Sequence, residues 1–214
     1  MIKDKFKRPE KMRVRQKTVC SALKICRNLV GAKTLVETGT YQGHTVEALI
    51  REFEKIMSVD LSQECLDVAQ VRIDRQKRFK RIRGKGPAEV SLVCGNSLEV
   101  LPSFLDSIEG SAVFWLDAHY SGGNTKRLDS QDCIVLEELL LILDHDSSGT
   151  KEDSRTLVHA IVIDDARCMG KGDYPTIAEV VEVVRNRKDN VRIKIEDDMI
   201  KILPVSANDV DSIS

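Results

Sequence analysis

The chain has 214 residues, 42% of them hydrophobic and 31% charged, with a formal net charge of -1. These values suit one soluble domain large enough to bury a core without disulfide or metal staples, and they give no overall field toward nucleic acid or membrane. Aromatic residues make up 4%, too few for a broad base-stacking platform. No stretch near the start has the apolar length of a signal peptide, and no run of about 18 apolar residues occurs to span a bilayer, so the expected compartment is the cytoplasm.

The first 30 residues read as a basic lead, helical from Glu10 to Val30, in which Lys3, Lys5, Lys7, Arg8, Lys11, Arg13, Arg15 and Lys17 are crowded together. Residues 31–205 read as the folded domain and residues 206–214 as a polar, mildly acidic tail. Within the domain, short apolar runs alternate with helix-period segments, the pattern of a parallel sheet covered on both faces. In chain order the predicted elements are strand Thr34–Val36, helix Thr45–Phe53, strand Ile56–Val59, helix Gln63–Arg81, strand Val90–Cys94, helix Leu98–Ile108 and strand Ala112–Leu116. They continue with helix Asp132–Leu143, strand Ala160–Ile163 and helix Thr176–Arg187, the last with Pro175 in its first turn.

The alternation then breaks. Val191–Ile195 and Met199–Leu203 are strands separated by only three residues, so they form a hairpin and one of them runs antiparallel. The stretches Arg83–Pro87, Ser121–Arg127 and Asp144–Arg155 read as surface loops. Six cysteines are scattered with no C-x-x-C pair, which reads as reduced, mostly buried thiols.

The segment Leu35-Val36-Glu37-Thr38-Gly39-Thr40-Tyr41-Gln42-Gly43 joins the first strand to a helix whose Val46, Leu49, Ile50 and Phe53 share one apolar face. A sharp turn with two glycines and an acidic residue suits a small charged ligand. Asp60 ends the second strand, and Gly95-Asn96-Ser97 follows the third. Asp60 and Asn96 can each serve as a helix cap or as a ligand group. Glu37 is harder to read as structural, because a carboxylate at an apolar strand end is costly unless something pairs with it.

Five alternating units, the terminal hairpin and the E-x-G-x-x-x-G loop resemble the class I S-adenosylmethionine (SAM)-dependent methyltransferases over Thr34 to Leu203. The resemblance implies a Rossmann-like, mostly parallel seven-stranded sheet with an antiparallel last strand and helices on both faces. A dinucleotide-binding Rossmann domain is disfavoured, since Glu37 stands where its loop places the first glycine. The resemblance further implies SAM contacts from Glu37, Thr38, Gly39, Thr40, Tyr41, Gly43, Asp60, Leu61, Asn96, Ser97 and Asp117. Loop amides would face the carboxylate of the ligand, Asp60 its ribose and Asn96 its adenine.

The ends of the fourth and fifth strands are polar, reading Leu116-Asp117-Ala118-His119 and Ile163-Asp164-Asp165. This arrangement is similar to metal-dependent O-methyltransferases of the catechol and macrocin types. Carried over, Asp117, Asp164 and Asp165 would ligate magnesium or another divalent cation, whose oxygen preference they match. His119 shares a side of an extended segment with Asp117 and would act as base, or as a further metal ligand. The opposing reading makes Asp117 and Asp164 loop caps and pairs Asp165 with Arg167.

The sequence therefore points to SAM-dependent, metal-assisted O-methylation of a hydroxylated small molecule or sugar, without nucleic acid or membrane, by a monomer or homodimer. A nucleic-acid or protein methyltransferase and a non-catalytic SAM-binding module are the alternatives.

Overall fold

The computed structural model describes residues 10–78, 86–117, 133–145, 155–189 and 191–205. Seven strands form one sheet: β1 (Thr34–Thr38), β2 (Lys55–Asp60), β3 (Glu89–Cys94), β4 (Ala112–Leu116), β5 (Ala160–Ile163), β6 (Val191–Glu196) and β7 (Met199–Pro204). Six helices flank it: α1 (Glu10–Val30), α2 (His44–Leu49), α3 (Gln63–Arg78), α4 (Ser97–Asp106), α5 (Val135–Asp144) and α6 (Ile177–Arg187).

The strand order is β3-β2-β1-β4-β5-β7-β6. Strands β1 to β5 pair in parallel, and β7 lies antiparallel between β5 and β6. Short helical crossovers force the parallel pairs, whereas the Asp197-Asp198 turn is too short to cross over and folds β7 back along β6. Both turn residues take positive φ, 55° and 61°, as the tight hairpin demands.

Alternation along the strands divides the core into two layers. Val36, Phe114, Leu116, Ile161 and Ile163 pack with the buried sides of α4, α5 and α6. Leu35, Val113, Trp115, Ala160 and Val162 point to the opposite face, against Leu23 and Cys26 of α1 and Leu49 of α2. Both faces are thus covered, and every residue of β1, β4 and β5 is buried. Burial of each large aliphatic or aromatic side chain in these layers contributes about 1.5–3 kcal/mol.

The predicted elements match the observed ones in number, type and order, with differences at the ends. Helix α2 stops at Leu49 rather than Phe53, because the chain must turn so that the Glu54 amide reaches the Lys33 carbonyl at 2.9 Å and enters β2. Ile50 and Phe53 are buried even so. Pro175 lies before α6 rather than in its first turn: Thr176 is the N-cap, and it forms a reciprocal capping box with Glu179. The expected ends of α3 at Arg81 and of α5 at Asp132 fall outside the described residues, as do residues 121–127 and most of residues 144–155. No helix among the described residues is long and apolar enough to cross a membrane, and the cysteines are free, Cys20, Cys26, Cys65 and Cys133 being buried.

Candidate functional site at the carboxyl ends of the strands

The loop after β1 is folded against β2 by three features. The amides of Gly39 and Thr40 both donate to the Val59 carbonyl, at 2.9 and 3.2 Å, and Gly43 N–H donates to Thr40 O at 2.8 Å. Gly39, Tyr41 and Gly43 all take positive φ (86°, 45° and 71°), so the backbone coils tightly before α2. At Gly43 the requirement for glycine is also steric, since a Cβ would lie 2.5 Å from the Ala69 Cβ of α3.

Asp60 closes the loop from the other side. One carboxylate oxygen accepts from the Tyr41 amide at 2.7 Å and the other from the Ser62 amide at 2.8 Å. Its position at the end of β2 therefore does two jobs: it fixes the turn and presents a carboxylate at the rim.

Beneath the loop, Glu37 is 1% exposed. It accepts a hydrogen bond from Ser58 Oγ, whose hydroxyl is in turn within 2.6 Å of Thr40 Oγ1. Burial pushes the Glu37 carboxyl up to about 8; the Ser58 hydrogen bond opposes this, while the nearby Asp117 and Asp60 add to it. Three carboxylates therefore gather around this turn at a strand-end rim, an arrangement that a cationic ligand group would relieve.

A second buried carboxylate, Glu138 of α5, ties the third and first strand ends together. It accepts from Ser97 Oγ and from Thr38 Oγ1, and is 0% exposed. Neither Glu138 nor Ser58 is among the residues that sequence reasoning selected. The signal for Glu138 was present: it is the polar member of the stripe Val135, Glu138, Leu139, Ile142, Leu143, which otherwise consists of buried apolar residues. Ser58 carried none, since only the register with Glu37 brings it into contact.

Asn96 is the N-cap of α4, its side chain accepting from the Leu98 amide at 3.0 Å. Leu61 is half-buried between Asp60 and Ser62. Asp117 follows β4, with its amide on the Thr38 carbonyl at 3.0 Å. His119 and the Gly122-Gly123-Asn124 segment lie outside the described residues.

The expected metal set is not assembled among the described residues. Asp164 pairs with Arg15 of α1 and accepts from the Asp165 amide at 2.8 Å. The chain does turn between the two aspartates, Asp165 sitting at φ 55°, but the turn sends its carboxylate to Arg167, which also binds Asp198 of the hairpin turn. Arginines already neutralise two of the three carboxylates, and no group of three His, Cys, Asp or Glu side chains among the described residues could hold a metal ion. As arranged, Asp117, Asp164 and Asp165 do not fit a shared divalent cation. The pairing of Asp165 with Arg167 is the one that the opposing reading anticipated.

Arg15 is the third group the sequence did not single out. Besides Asp164 it reaches the Asp197 carbonyl at 2.7 Å, so it fastens the preceding helix to both β5 and the β6–β7 turn.

A seven-stranded sheet in this order, with β7 antiparallel and a glycine turn after β1, is the Rossmann-like fold of SAM-dependent methyltransferases. Among solved structures, the chain is similar to the O-methyltransferase TomG of Streptomyces achromogenes, involved in tomaymycin synthesis and solved in complex with SAM. The identity is 14% with a TM-score of 0.55, covering 94% of this chain and 92% of that one. It is also similar to the methyltransferase PaMTH1 of Podospora anserina with S-adenosylhomocysteine (SAH) bound (13% identity, TM-score 0.53, 93% and 89% covered). A third is an O-methyltransferase of Bacillus cereus in complex with SAH (14% identity, TM-score 0.53, 94% of each covered). No protein-family model and no curated protein sequence matches the chain.

Proposed function

We propose that this protein binds SAM at the turn after β1 and transfers its methyl group to a hydroxyl of a small molecule. The observation that carries the reading is the junction of Glu37, Asp60 and Asp117 around a glycine turn whose amides are fixed by Asp60. A ligand with a sulfonium, an ammonium, a carboxylate and a ribose matches this donor set. The three structures named above, solved with SAM or SAH and sharing this fold, lend support.

In this reading Asp60 takes the ribose hydroxyls, and the backbone from Gly39 to Gly43 takes the ligand carboxylate. Glu37 and Asp117 lie toward its cationic groups, and Asn96 and Ser97 flank the adenine. SAM supplies an electrophilic methyl group on a sulfonium. The protein's part is to hold the acceptor oxygen in line, exclude water and accept the hydroxyl proton, for which His119 is the proposed base. No step passes through a metal, since the rim carboxylates are committed to arginines.

Calorimetric titration of the full chain with SAM tests the reading. Wild type should bind, and Asp60→Ala should weaken binding by roughly tenfold or more, as loss of a charge-assisted contact implies. No binding by wild type overturns the proposal. Binding without transfer to any acceptor in a labelled-methyl screen would make the protein a non-catalytic SAM-binding module.

A further inference from the structure

The face by which α1 packs on the sheet continues past the end of the sheet. Met12, Gln16, Val19, Leu23 and Cys26 follow at steps of four and three residues, so they share one side of the helix. Val19, Leu23 and Cys26 are buried, and Gln16 is half-buried, with its amide on Thr45 Oγ1 at 3.3 Å. Met12, on the same side, is 50% exposed. An apolar residue on the inward side of a packed helix is left uncovered when the layer beneath it ends. Arg15 already reaches Asp164, the residue after β5, and Met12 lies about 4.5 Å farther along the helix axis. The first turn of α1 therefore overhangs the strand ends.

Asp164 also belongs to a cleft at the same rim, lined in addition by Leu116, Val135, Ile163, Met169 and Tyr174. Cleft and overhang thus share an edge, with Arg15 bridging them. The cleft walls are chiefly apolar, with a carboxylate and a phenol at one side. A free sugar would press hydroxyl groups against Leu116, Ile163 and Met12, where they find no partner, and each such group costs roughly 1–3 kcal/mol.

Building on the methyltransferase reading, we propose that α1 roofs the acceptor site, that Met12 contacts the acceptor, and that the acceptor is a hydroxylated molecule with an apolar body rather than a sugar. Met12 is then a specificity-determining residue, and Arg15 is the positioning residue that holds the roof down.

The test uses the full chain as wild type, Met12→Glu and Met12→Leu. SAM affinity is measured by calorimetry, and methyl transfer from labelled SAM is measured against apolar phenols and alcohols, free sugars and single-stranded RNA. Wild type should methylate an apolar hydroxylated compound. Met12→Glu should raise the KM for it by roughly tenfold while SAM affinity stays within about twofold, and Met12→Leu should restore the wild-type KM. An unchanged KM in Met12→Glu, preference for a sugar or RNA, or no acceptor methylated by a protein that binds SAM overturns the proposal. Failure of wild type to bind SAM overturns both this proposal and the methyltransferase reading beneath it, and the calorimetry alone distinguishes that case.

Discussion

Arg15 and Asp164, 149 residues apart in the chain, form an ion pair that fastens the first helix to the end of β5. Its side chains are 30% and 12% exposed, so solvent screens the pair only in part. Arg15 also bonds to the Asp197 carbonyl, so one guanidinium joins three elements at the rim. We expect Arg15→Ala to lower stability by about 1–2 kcal/mol, between the values for exposed and buried pairs. A double-mutant cycle with Asp164→Asn, read from urea unfolding, should give a coupling near 1 kcal/mol; zero coupling would reduce the pair to a surface contact.

Glu37 makes the free protein pH-dependent in an unusual direction. Its carboxyl is raised from 4.5 to about 8 by burial, so the folded state holds a proton that the unfolded state has lost between these values. The stability from this group is fully present below pH 4.5 and is lost as pH rises through about 8. Glu37→Gln should flatten the fall in unfolding free energy across that window. If a cationic ligand group binds beside Glu37, SAM binding at pH 7 should also release a proton. Titration in buffers of different ionisation enthalpy will detect it, and the release should vanish in Glu37→Gln.

Glu138 accepts from two hydroxyls while wholly buried. Glu138→Ala leaves Thr38 and Ser97 without this acceptor and opens a void, for an expected loss of about 2–4 kcal/mol. Glu138→Gln retains one acceptor oxygen and should cost about half as much. Denaturant midpoints for the two variants settle the ordering, and equal losses would show that volume, not hydrogen bonding, holds the position.

Gly43→Ala should be among the most damaging small substitutions. The new methyl would meet the Ala69 Cβ at 2.5 Å and its Cα at 2.9 Å, on a backbone already at φ 71°. An expected loss of about 2–4 kcal/mol follows from overpacking plus left-handed strain. Ala69→Gly in the same chain should return the steric part only, and a thermal-unfolding comparison separates the two contributions.

The carboxylates expected to bind a metal instead mark the boundary of sequence reasoning. Strand-end position correctly put Asp117, Asp164 and Asp165 at one rim, because periodicity fixes where each strand stops. It said nothing of which cation each would meet. Arg15 comes from a helix before the sheet, and Arg167 is turned back by the left-handed Asp165. The partners of Glu37 were equally hidden: that it needed one was legible from its apolar surroundings, but that Ser58 is the partner depends on the β1–β2 register.

What the sequence determined by itself was the order and type of the elements, including α1 from Glu10 to Val30, the terminal hairpin and the glycine turn after β1. These are local properties, carried by apolar spacing at 2 or 3.6 residues and by the few residues that tolerate a tight turn. The tertiary structure decided which polar groups meet: Glu37 with Ser58, Glu138 with Thr38 and Ser97, Arg15 with Asp164. Those pairings join residues far apart in the chain. They exist because sheet register and helix placement bring the side chains together, and no local pattern encodes that meeting.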